Sequence, residues 1–355
     1  MSDFLCGASA AKRGNGSAGQ FSSWKIRDQI NILASQVDGA LTNFPIFLNE
    51  TILNNLPYDI WSIALNGGGD LRFASDAQGN NRLACEVVTF NTSTQKAEIH
   101  VKAPSVSSAI DTPIYIFYGK VGATQPAVTD TYGRNNVWDS NFIFVNHMNS
   151  ATDSTGKTSF SSFSGTVVDG KVGSGVDFNG TSDKIDYNAL AGPNGNFATF
   201  EFWSNFDALA RGDFQAIMNT DGDPNSFHLE QQAFGNNIGF FADPPPVLAV
   251  SSWNYTLNTW QHTSALVDTT TPQVTFRLNY STISTPAFAA LTLPLTAQLN
   301  VGGWWNGAAF ARWVDGTLDE LRISNNLRPL AWRKASYVNQ NLTTDFLQAQ
   351  SFITP

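Results

Sequence analysis

Short segments in which apolar and polar residues alternate recur along most of this chain. Between Trp24 and Ile32 the apolar residues are separated by even numbers of positions, with lysine, arginine, glutamine and asparagine between them. A period of two places such residues on one face of a β-strand. Similar alternation occurs over residues 96–103, 199–206 and 274–280, and residues 113–119 are a run of aromatic and β-branched residues that is also typical of a strand. The pattern predicts an all-β protein.

The composition favours sandwich cores rich in aromatic side chains. The chain has 26 Phe and 10 Trp, while charged residues make up only 14%, against roughly a quarter in ordinary soluble proteins. A net charge of −9 argues against nucleic acid as a partner, because phosphate binding needs a basic face. No apolar run approaches the length of about 18 residues that a membrane span requires, so membrane insertion is not expected.

One segment near the C-terminus, Val314–Ser324, combines the strand pattern with a carboxylate. Read as a regular strand, it places Asp319 on the same face as Leu321 and Ile323, and Glu320 on the opposite face. A carboxylate among core aliphatic residues costs free energy unless it is hydrogen-bonded or bound to a metal. The segment therefore predicts a buried Asp319 that either accepts backbone N–H groups or ligates an ion.

The N-terminal part of the chain divides into an arm and a small domain. Residues 1–20 are rich in Gly, Ala and Ser without periodicity, which predicts a flexible anchoring arm. Residues 21–122 read as a small antiparallel β-sandwich. Four motifs occur in order within it: Asp70–Asp76, Leu83–Glu86, His100–Pro104 and Ile114–Gly119. They resemble a bacterial and phage domain of unknown function that commonly precedes a LamG-type domain, and this resemblance implies architecture rather than chemistry.

A second domain is predicted over residues 137–325, after a linker at residues 123–136. Its motifs are Asn146–Asn149, Asp153–Gly156, Gly175–Gly180, Phe197–Trp203, Thr259–His262 and Asp319–Ile323. They resemble LamG-type, concanavalin A-like jelly rolls, which implies a two-sheet sandwich used in carbohydrate or surface recognition. Residues 326–355 form the C-terminal helix and tail, with the helix over Pro329–Asn339. The predicted fold is thus two β-sandwich domains, the second a concanavalin A-like jelly roll, with a short C-terminal helix.

No catalytic residues are predicted, and the protein is expected not to be an enzyme. Glycoside hydrolases place two carboxylates so that both face one cleft. Here Glu201 stands alone on its strand, and Asp319 and Glu320 are adjacent, which puts them on opposite faces. The four histidines also lack metal-ligand spacing. A glycoside hydrolase is therefore the least favoured alternative.

Calcium is the one candidate cofactor. Asp221, Asp223 and Asn225 present oxygen atoms at alternating positions, as calcium loops do, but a polar turn is the preferred interpretation of this loop. The resemblance to jelly rolls also implies a structural calcium at the last strand, where Asp319 could be joined by backbone carbonyls near Gly180. The alternative for Asp319 is a carboxylate satisfied by backbone N–H groups.

Sugar binding requires exposed aromatic rings that stack on pyranose faces. The candidates are Trp203, Trp253, Tyr255, Trp304 and Trp305. Trp203 falls on the polar face of its strand, and two adjacent residues such as Trp304 and Trp305 cannot both face a core if they are extended. The alternative is that a large sandwich uses tryptophan at its sheet edges. Host-surface glycan is the partner that these residues predict.

The expected setting is a virus particle. The segment from Met1 to Arg13 lacks the basic start and apolar centre of a signal peptide, and two cysteines do not make a disulfide framework. We expect a virion surface protein (a capsid decoration, head fibre or tail adhesin) that is made in the host cytoplasm. It would bind other virion proteins through its arm and first domain, as an oligomer or lattice member. The alternatives are a structural decoration or fibre protein without sugar binding, and an extracellular or cell-surface bacterial adhesin.

Overall fold

A computed structural model describes residues 20–208, 214–220, 226–232, 236–243, 246–305 and 308–350. The predicted arm, residues 1–20, lies outside this range except for Gln20. The all-β prediction is confirmed, because antiparallel strands make up most of the regular secondary structure in the described chain. None of the helices in these ranges is long and apolar enough to cross a lipid bilayer.

The elements are as follows. The first strands are β1 (Ile26–Ile32), β2 (Leu41–Asn49), β3 (Arg72–Ala74), β4 (Arg82–Leu83), β5 (Cys85–Asn91), β6 (Lys96–Val106) and β7 (Thr112–Tyr118). The others are β8 (Phe142–Asn146), β9 (Phe160–Phe163), β10 (Thr166–Asp169), β11 (Ser174–Asn179), β12 (Ile185–Ala189), β13 (Phe197–Phe206), β14 (Gln215–Thr220), β15 (Ser226–Gln231), β16 (Ile238–Asp243), β17 (Val247–Val250), β18 (Gln261–Asp268), β19 (Gln273–Leu278), β20 (Thr282–Ser284), β21 (Gln298–Val301), β22 (Trp304–Trp305), β23 (Phe310–Ala311), β24 (Asp315–Ser324) and β25 (Leu347–Ala349). The helices are α1 (Glu50–Leu53), α2 (Ile60–Ile63), α3 (Leu330–Asn341) and α4 (Thr343–Phe346), with 3₁₀ turns at Ala34–Gln36 and Arg134–Asn136.

The first sandwich packs a five-stranded sheet, in the order β25-β1-β7-β3-β4, against a three-stranded sheet, β2-β6-β5. The inward residues of β6 are those that the alternation predicts, with Ile99 and Val101 fully buried in its core. The end of the chain also belongs here, because β25 pairs with β1 and places Ala349 opposite Ile30. Trp332 of α3 lies in the same core. The C-terminal segment therefore completes the first sandwich.

The jelly roll consists of two larger sheets. One contains eight strands, in the order β10-β11-β24-β13-β18-β19-β20 with β8 also paired to β24, and the other contains seven, β17-β16-β15-β14-β21-β12-β9. Phe200 and Phe202 of β13 point into the core between the sheets, as predicted. Val274 and Phe276 of β19 do the same.

The two sandwiches share structural elements at their junction. Along β8, Phe142 and Val145 lie in the core of the first sandwich, whereas Ile143 and Phe144 lie in the core of the jelly roll. The outer face of the eight-stranded sheet is covered by α3, since Arg333 donates a hydrogen bond of 3.2 Å to Ser264 on β18. The predicted domain boundaries stay a prediction, but packing crosses them at both ends.

The predicted linker is also held against the first sandwich. Arg72 donates from Nη2 to the carbonyl oxygen of Thr124 over 2.6 Å. The backbone N–H of Cys85 donates to the carbonyl oxygen of Tyr132 over 3.2 Å. These bonds fix the path of the chain between the two sandwiches.

A bulge in β24 changes the predicted faces of the acidic pair. Leu318 and Leu321 both lie in the jelly-roll core although they are three residues apart. The pairing with β13 shifts register there, and Glu320 has a φ of +52°. Such a bulge inserts an extra residue into a strand, so both Asp319 and Glu320 lie on the outer side. The prediction that Asp319 shares a face with Leu321 is therefore wrong.

Helix α3 confirms the predicted C-terminal helix and binds the edge of the three-stranded sheet. Pro329 precedes its first residue, as predicted. The side chain of Asn339 accepts a hydrogen bond from the backbone N–H of Phe47 over 2.7 Å and donates to its carbonyl oxygen over 2.9 Å. One side chain thus satisfies both backbone groups of a buried residue of β2. The short helices α1, α2 and α4 are not predicted by the sequence.

Replacing Asn339 by alanine tests the bond between helix and sheet. The change leaves a buried N–H and a buried C=O without partners, at about 1–3 kcal/mol each, so we expect a loss of about 2–6 kcal/mol in the free energy of unfolding. Urea denaturation measures this loss. Asn341→Ala, at a half-buried position of the same helix turn where the side-chain amide donates to Tyr337 Oη over 3.2 Å, is the control and should cost less than about 1 kcal/mol. Equal costs for the two variants would contradict the description.

Candidate functional site

Four ionisable side chains meet in the junction between the two sandwiches. Glu98, His100, His147 and Glu320 each contribute one nitrogen or oxygen atom, and these atoms all lie within 4.8 Å of one another. We call these four residues the junction cluster. All are buried, with at most 2% of any side chain exposed. Ionisable groups are rarely buried together in this way without specific partners.

The cluster is assembled from both sandwiches by ordinary strand geometry. Ala97, Ile99 and Val101 fill the first core, so Glu98 and His100 between them point out of that sandwich toward the jelly roll. His147 directly follows β8, and Glu320 stands at the bulge of β24. The first sandwich thus supplies two members and the jelly roll the other two.

Hydrogen bonds fix the two members that belong to the jelly roll. His147 Nδ1 contacts Glu320 Oε1 directly, and its Nε2 lies 3.3 Å from Glu86 Oε2. The second oxygen of Glu320 accepts from Gln340 over 2.7 Å and from Arg322. Burial alone would lower the pKa of His147, but the carboxylates of Glu320 and Glu86 hold it well above its ordinary value.

The two members from the first sandwich lack comparable partners. Within the described residues, neither oxygen of Glu98 and neither ring nitrogen of His100 has a hydrogen-bond partner. Both side chains are fully buried. Burial raises the pKa of Glu98 well above its ordinary value. Burial and the neighbouring His147 lower the pKa of His100.

The candidate calcium ligands are not brought together. Oδ2 of the buried Asp319 carboxylate accepts a hydrogen bond of 2.7 Å from the backbone N–H of Val172, whereas its Oδ1 has no hydrogen-bond partner among the described residues, so the carboxylate is only partly satisfied by the backbone. Gly180 instead contacts Asp315. Four residues of strand, about 13 Å, separate Asp315 from Asp319. Asp221, Asp223 and Asn225 lie outside the described residues.

Three of the candidate sugar-stacking residues are buried. Trp203 is 1% exposed and stacks on Tyr337 of α3 at 5.7 Å between ring centroids. Its polar-face position is as predicted, but α3 covers that face. Trp253 and Tyr255 lie in the jelly-roll core. The exposure that sequence reasoning assigned to these three rings is therefore wrong.

The remaining two candidates, Trp304 and Trp305, form one strand of a hairpin on the outer face of the seven-stranded sheet. Trp305 is 36% exposed, and Trp304 is half-buried beside His228, at 5.2 Å between ring centroids. We call residues 303–305 and 308–313 the aromatic hairpin; residues 306–307 are outside the described residues. Trp305, Phe310 and Trp313 follow one another along it, with centroids 5.2 and 5.7 Å apart.

Charged groups border the aromatic hairpin. The guanidinium of Arg312 lies 4.1 Å from the ring centre of Trp304 and donates to Glu230 over 2.8 Å. The ammonium group of Lys184 lies 4.0 Å from the ring centre of Phe310. Cations over ring faces are attracted by the aromatic quadrupole, so these contacts hold the rings in place.

A row of polar side chains crosses the sheet at the level of the aromatic hairpin. Strand pairing places its members directly opposite one another: His228, Asn219, Asn300, Asp186 and Ser162. They face outward, because Phe227 and Leu229 on either side of His228 lie in the core. We call these five residues the polar row. Among the described residues, Asn219 Oδ1, His228 Nδ1 and Asp186 Oδ1 are buried without hydrogen-bond partners.

Sequence reasoning missed both the junction cluster and the polar row. The alternation in β6 does place Glu98 and His100 on one face, and this is the signal that could have singled them out. His147 and Glu320 lie 47 and 220 residues beyond His100, so no spacing rule could join them. Two histidines that show no metal-ligand spacing in sequence thus come together through the fold.

Comparison with known proteins gives one family match. Residues 67–169 match the family described as Domain of unknown function (DUF2341). This range confirms the resemblance predicted for the first domain, and it includes Glu86, Glu98, His100 and His147. The match covers less than half of the chain. No curated protein matches the chain.

Solved structures with similar folds are β-sandwich domains. Domain 4 of the extracellular arabinanase AbnA from Geobacillus stearothermophilus, solved with arabinotriose, is 19% identical over 55% of this chain and 97% of its own, with a TM-score of 0.45. The binding domain of Paraclostridial Mosquitocidal Protein 1 is 15% identical, over 56% of this chain and 53% of its own (TM-score 0.45). The binding domain of botulinum neurotoxin serotype D is 13% identical, over 57% and 51% (TM-score 0.45). The chain thus spans about half the length of the two toxin domains.

Protonation of His228 should make the protein less stable in acid. Burial, and then the charge of Arg312, lowers the pKa of His228 to about 3. In the unfolded chain the pKa of a histidine is about 6.5, so His228 takes up its proton at a lower pH in the folded state than in the unfolded chain. The contribution of neutral His228 to the free energy of unfolding is therefore fully present above about pH 6.5 and is lost progressively as the pH falls toward 3. Between these limits the wild type should lose about 1.4 kcal/mol per pH unit more than His228→Gln.

Urea denaturation of both proteins from pH 8 to pH 4 measures this difference. From pH 8 to pH 7 the histidine is neutral in both states, so the difference between the proteins should stay constant, which is an internal control. A difference that also stays constant from pH 6 to pH 4 would show that His228 is not held neutral by burial.

Proposed function

We propose that this protein is a non-enzymatic binding protein whose jelly roll binds carbohydrate on the outer face of the seven-stranded sheet. The observation that carries the proposal is the polar row beside the aromatic hairpin. Three of its buried polar atoms, on Asn219, His228 and Asp186, lack partners among the described residues. Unpaired buried polar atoms cost free energy, which a ligand rich in hydroxyl groups would recover.

The aromatic hairpin supplies the second requirement of a sugar site. Trp305, Phe310 and Trp313 form a series of neighbouring rings, of which Trp305 is the most exposed. The C–H groups of a pyranose face pack on such rings, while its hydroxyl groups need donors and acceptors at the edge. Neutral His228 and the amide of Asn219 can each donate and accept hydrogen bonds. The site thus suits a neutral oligosaccharide.

The placement of the carboxylates supports binding without hydrolysis. The strands of the seven-stranded sheet carry three, Asp186, Glu230 and Asp243. Three strand spacings, about 14 Å, separate Asp186 from Glu230, and Asp243 is offset from Glu230 by about 13 Å along its strand. Catalytic carboxylates in glycosidases lie within about 10 Å of each other. Glu230 is in addition paired with Arg312.

The biological setting that we propose is the surface of a virus particle. There the arm and first sandwich would attach the chain to other virion proteins, and the jelly roll would face host glycan. The resemblance of the motifs over residues 70–119 to a bacterial and phage domain supports this setting. A structural decoration without sugar binding is the alternative if the glycan test fails.

Trp305→Ala is the first variant for a glycan test. On an array of neutral and acidic glycans we expect saturable binding by the wild type, and binding weaker by about 10-fold or more for the variant, because a stacking ring is removed. Phe197→Ala is the matched control: its ring is also 36% exposed, but it lies on β13 of the other sheet. Its binding should equal that of the wild type.

Two results would overturn the proposal. If the wild type binds no glycan, the sugar-binding function is rejected and the decoration alternative is favoured. If binding persists in Trp305→Ala but is lost in Phe197→Ala, the binding site lies on the eight-stranded sheet and not on the seven-stranded sheet.

Release of reducing sugar from a bound glycan would contradict the assignment as a non-enzymatic protein.

A further inference from the structure

We propose that the junction cluster is a binding site for one divalent transition-metal ion, with zinc as the ion that best fits its donors. Glu98 and Glu320 offer carboxylate oxygens, and His100 and His147 offer imidazole nitrogens. Zinc accepts both donor types and is usually four-coordinate and tetrahedral in structural sites. This inference does not depend on the proposed sugar site, which lies on the other sheet of the jelly roll.

Three of the six distances between donor atoms are close to the edges of a tetrahedron around such an ion. With bonds of about 2.0–2.2 Å from ion to ligand, neighbouring ligand atoms lie about 3.3–3.6 Å apart. His147 Nδ1 lies 3.3 Å from Glu98 Oε1, and His100 Nε2 lies 3.6 Å from the same oxygen. His100 Nε2 is 3.8 Å from Glu320 Oε1. His147 Nδ1 and Glu320 Oε1, which contact each other directly, would have to move apart to admit the ion and complete the coordination shell.

The unpaired groups of the cluster point to a ligand. Glu98 and His100 are fully buried, and among the described residues none of their side-chain nitrogen or oxygen atoms has a hydrogen-bond partner. Buried polar groups in folded proteins are nearly always paired, and each exception needs an explanation. A bound cation would pair one oxygen of Glu98 and one nitrogen of His100 at once.

Residues around the cluster hydrogen-bond to the proposed ligands and orient them, as is common in metal sites. Such sites commonly pair the second ring nitrogen of a histidine ligand with a carboxylate. Here His147 Nε2 lies 3.3 Å from Glu86, which is itself held by Trp138 Nε1 at 2.9 Å. The second oxygen of Glu320 accepts from Gln340 over 2.7 Å. The remaining atoms, His147 Nδ1 and Glu320 Oε1, contact each other within the cluster, and each would exchange that contact for the ion.

The charges of the two carboxylate ligands match that of a divalent ion. The carboxylates of Glu98 and Glu320 would neutralise its two positive charges. Burying carboxylates without compensation is costly, and a divalent cation removes that cost. Four protein ligands leave no open position, which is typical of a structural ion.

The ion would cross-link the two sandwiches. It would join two residues of β6 in the first sandwich to His147 and Glu320 of the jelly roll. Because an ion that binds only the folded state stabilises it by mass action, the melting temperature should depend on the concentration of free metal.

Metal analysis of the purified full chain is the first test. After equilibration with a mixture of zinc, manganese, magnesium and calcium salts and removal of free ions, we expect about one zinc ion per chain by mass spectrometry. Treatment with a chelator should remove it and lower the melting temperature. A chain that retains no metal, and whose melting temperature does not respond to zinc or chelator, would overturn the proposal.

Ligand variants locate the ion. Glu98→Gln and His100→Gln should each weaken zinc binding by more than about 100-fold. Even replacing a residue that only hydrogen-bonds to a metal ligand lowers metal affinity by about 10–100-fold. His262→Gln is the matched control, because this histidine is also buried at the junction but lies against Trp203, outside the cluster. It should retain one ion. Zinc binding that survives in both ligand variants would place the ion elsewhere and reject the site.

Cobalt substitution keeps the test decisive if the ligand variants fail to fold. Tetrahedral Co²⁺ absorbs visible light far more strongly than the hydrated ion, so the wild type loaded with cobalt should show intense bands that added zinc abolishes. If cobalt binds but its spectrum shows only the weak bands of six-coordinate Co²⁺, a closed four-ligand site is contradicted.

Discussion

His147, which contacts Glu320 in the jelly roll and Glu86 in the first sandwich, makes the interactions on which the rest of the structure depends. It lies where the outer face of the three-stranded sheet meets the outer face of the eight-stranded sheet. The bulge in β24 turns Glu320 toward this junction, and Arg322 and Gln340 hold the second oxygen of its carboxylate. Separating the sandwiches would expose both the buried polar groups and the apolar residues of β8 that belong to two cores, so we infer that they unfold together.

Because of this junction, the jelly roll has one outer sheet face that is covered by protein and one that a ligand can approach. The outer face of the eight-stranded sheet is covered by α3 and the first sandwich, and Trp203 is buried there against Tyr337. Any ligand must then approach the other sheet or the loops. The aromatic hairpin and the polar row lie on that other sheet, which is why the proposed sugar site is placed there.

Much of the fold could be predicted from the sequence, but the covering of one sheet by another could not. Alternation identifies Ile99, Phe200 and Phe276 as core residues, because a period of two reports the face of a strand. The same pattern marks Trp203 as outward, and it is, yet a helix about 130 residues later covers it. For Asp319 the regular period failed, since a bulge shifts the faces without a sequence signal. The junction cluster joins residues up to 222 positions apart, Glu98 and Glu320, beyond the reach of any spacing rule.

The central claim is that the two sandwiches form one cooperative unit through their buried junction. Native-state hydrogen exchange under increasing denaturant tests this most directly, because it reports the free energy at which each amide opens. The claim predicts that the most protected amides of β6, β8 and β24 all exchange at one free energy, equal to that of global unfolding. If the amides of β6 open at a free energy several kcal/mol below those of β24, the first sandwich unfolds independently and the claim is contradicted.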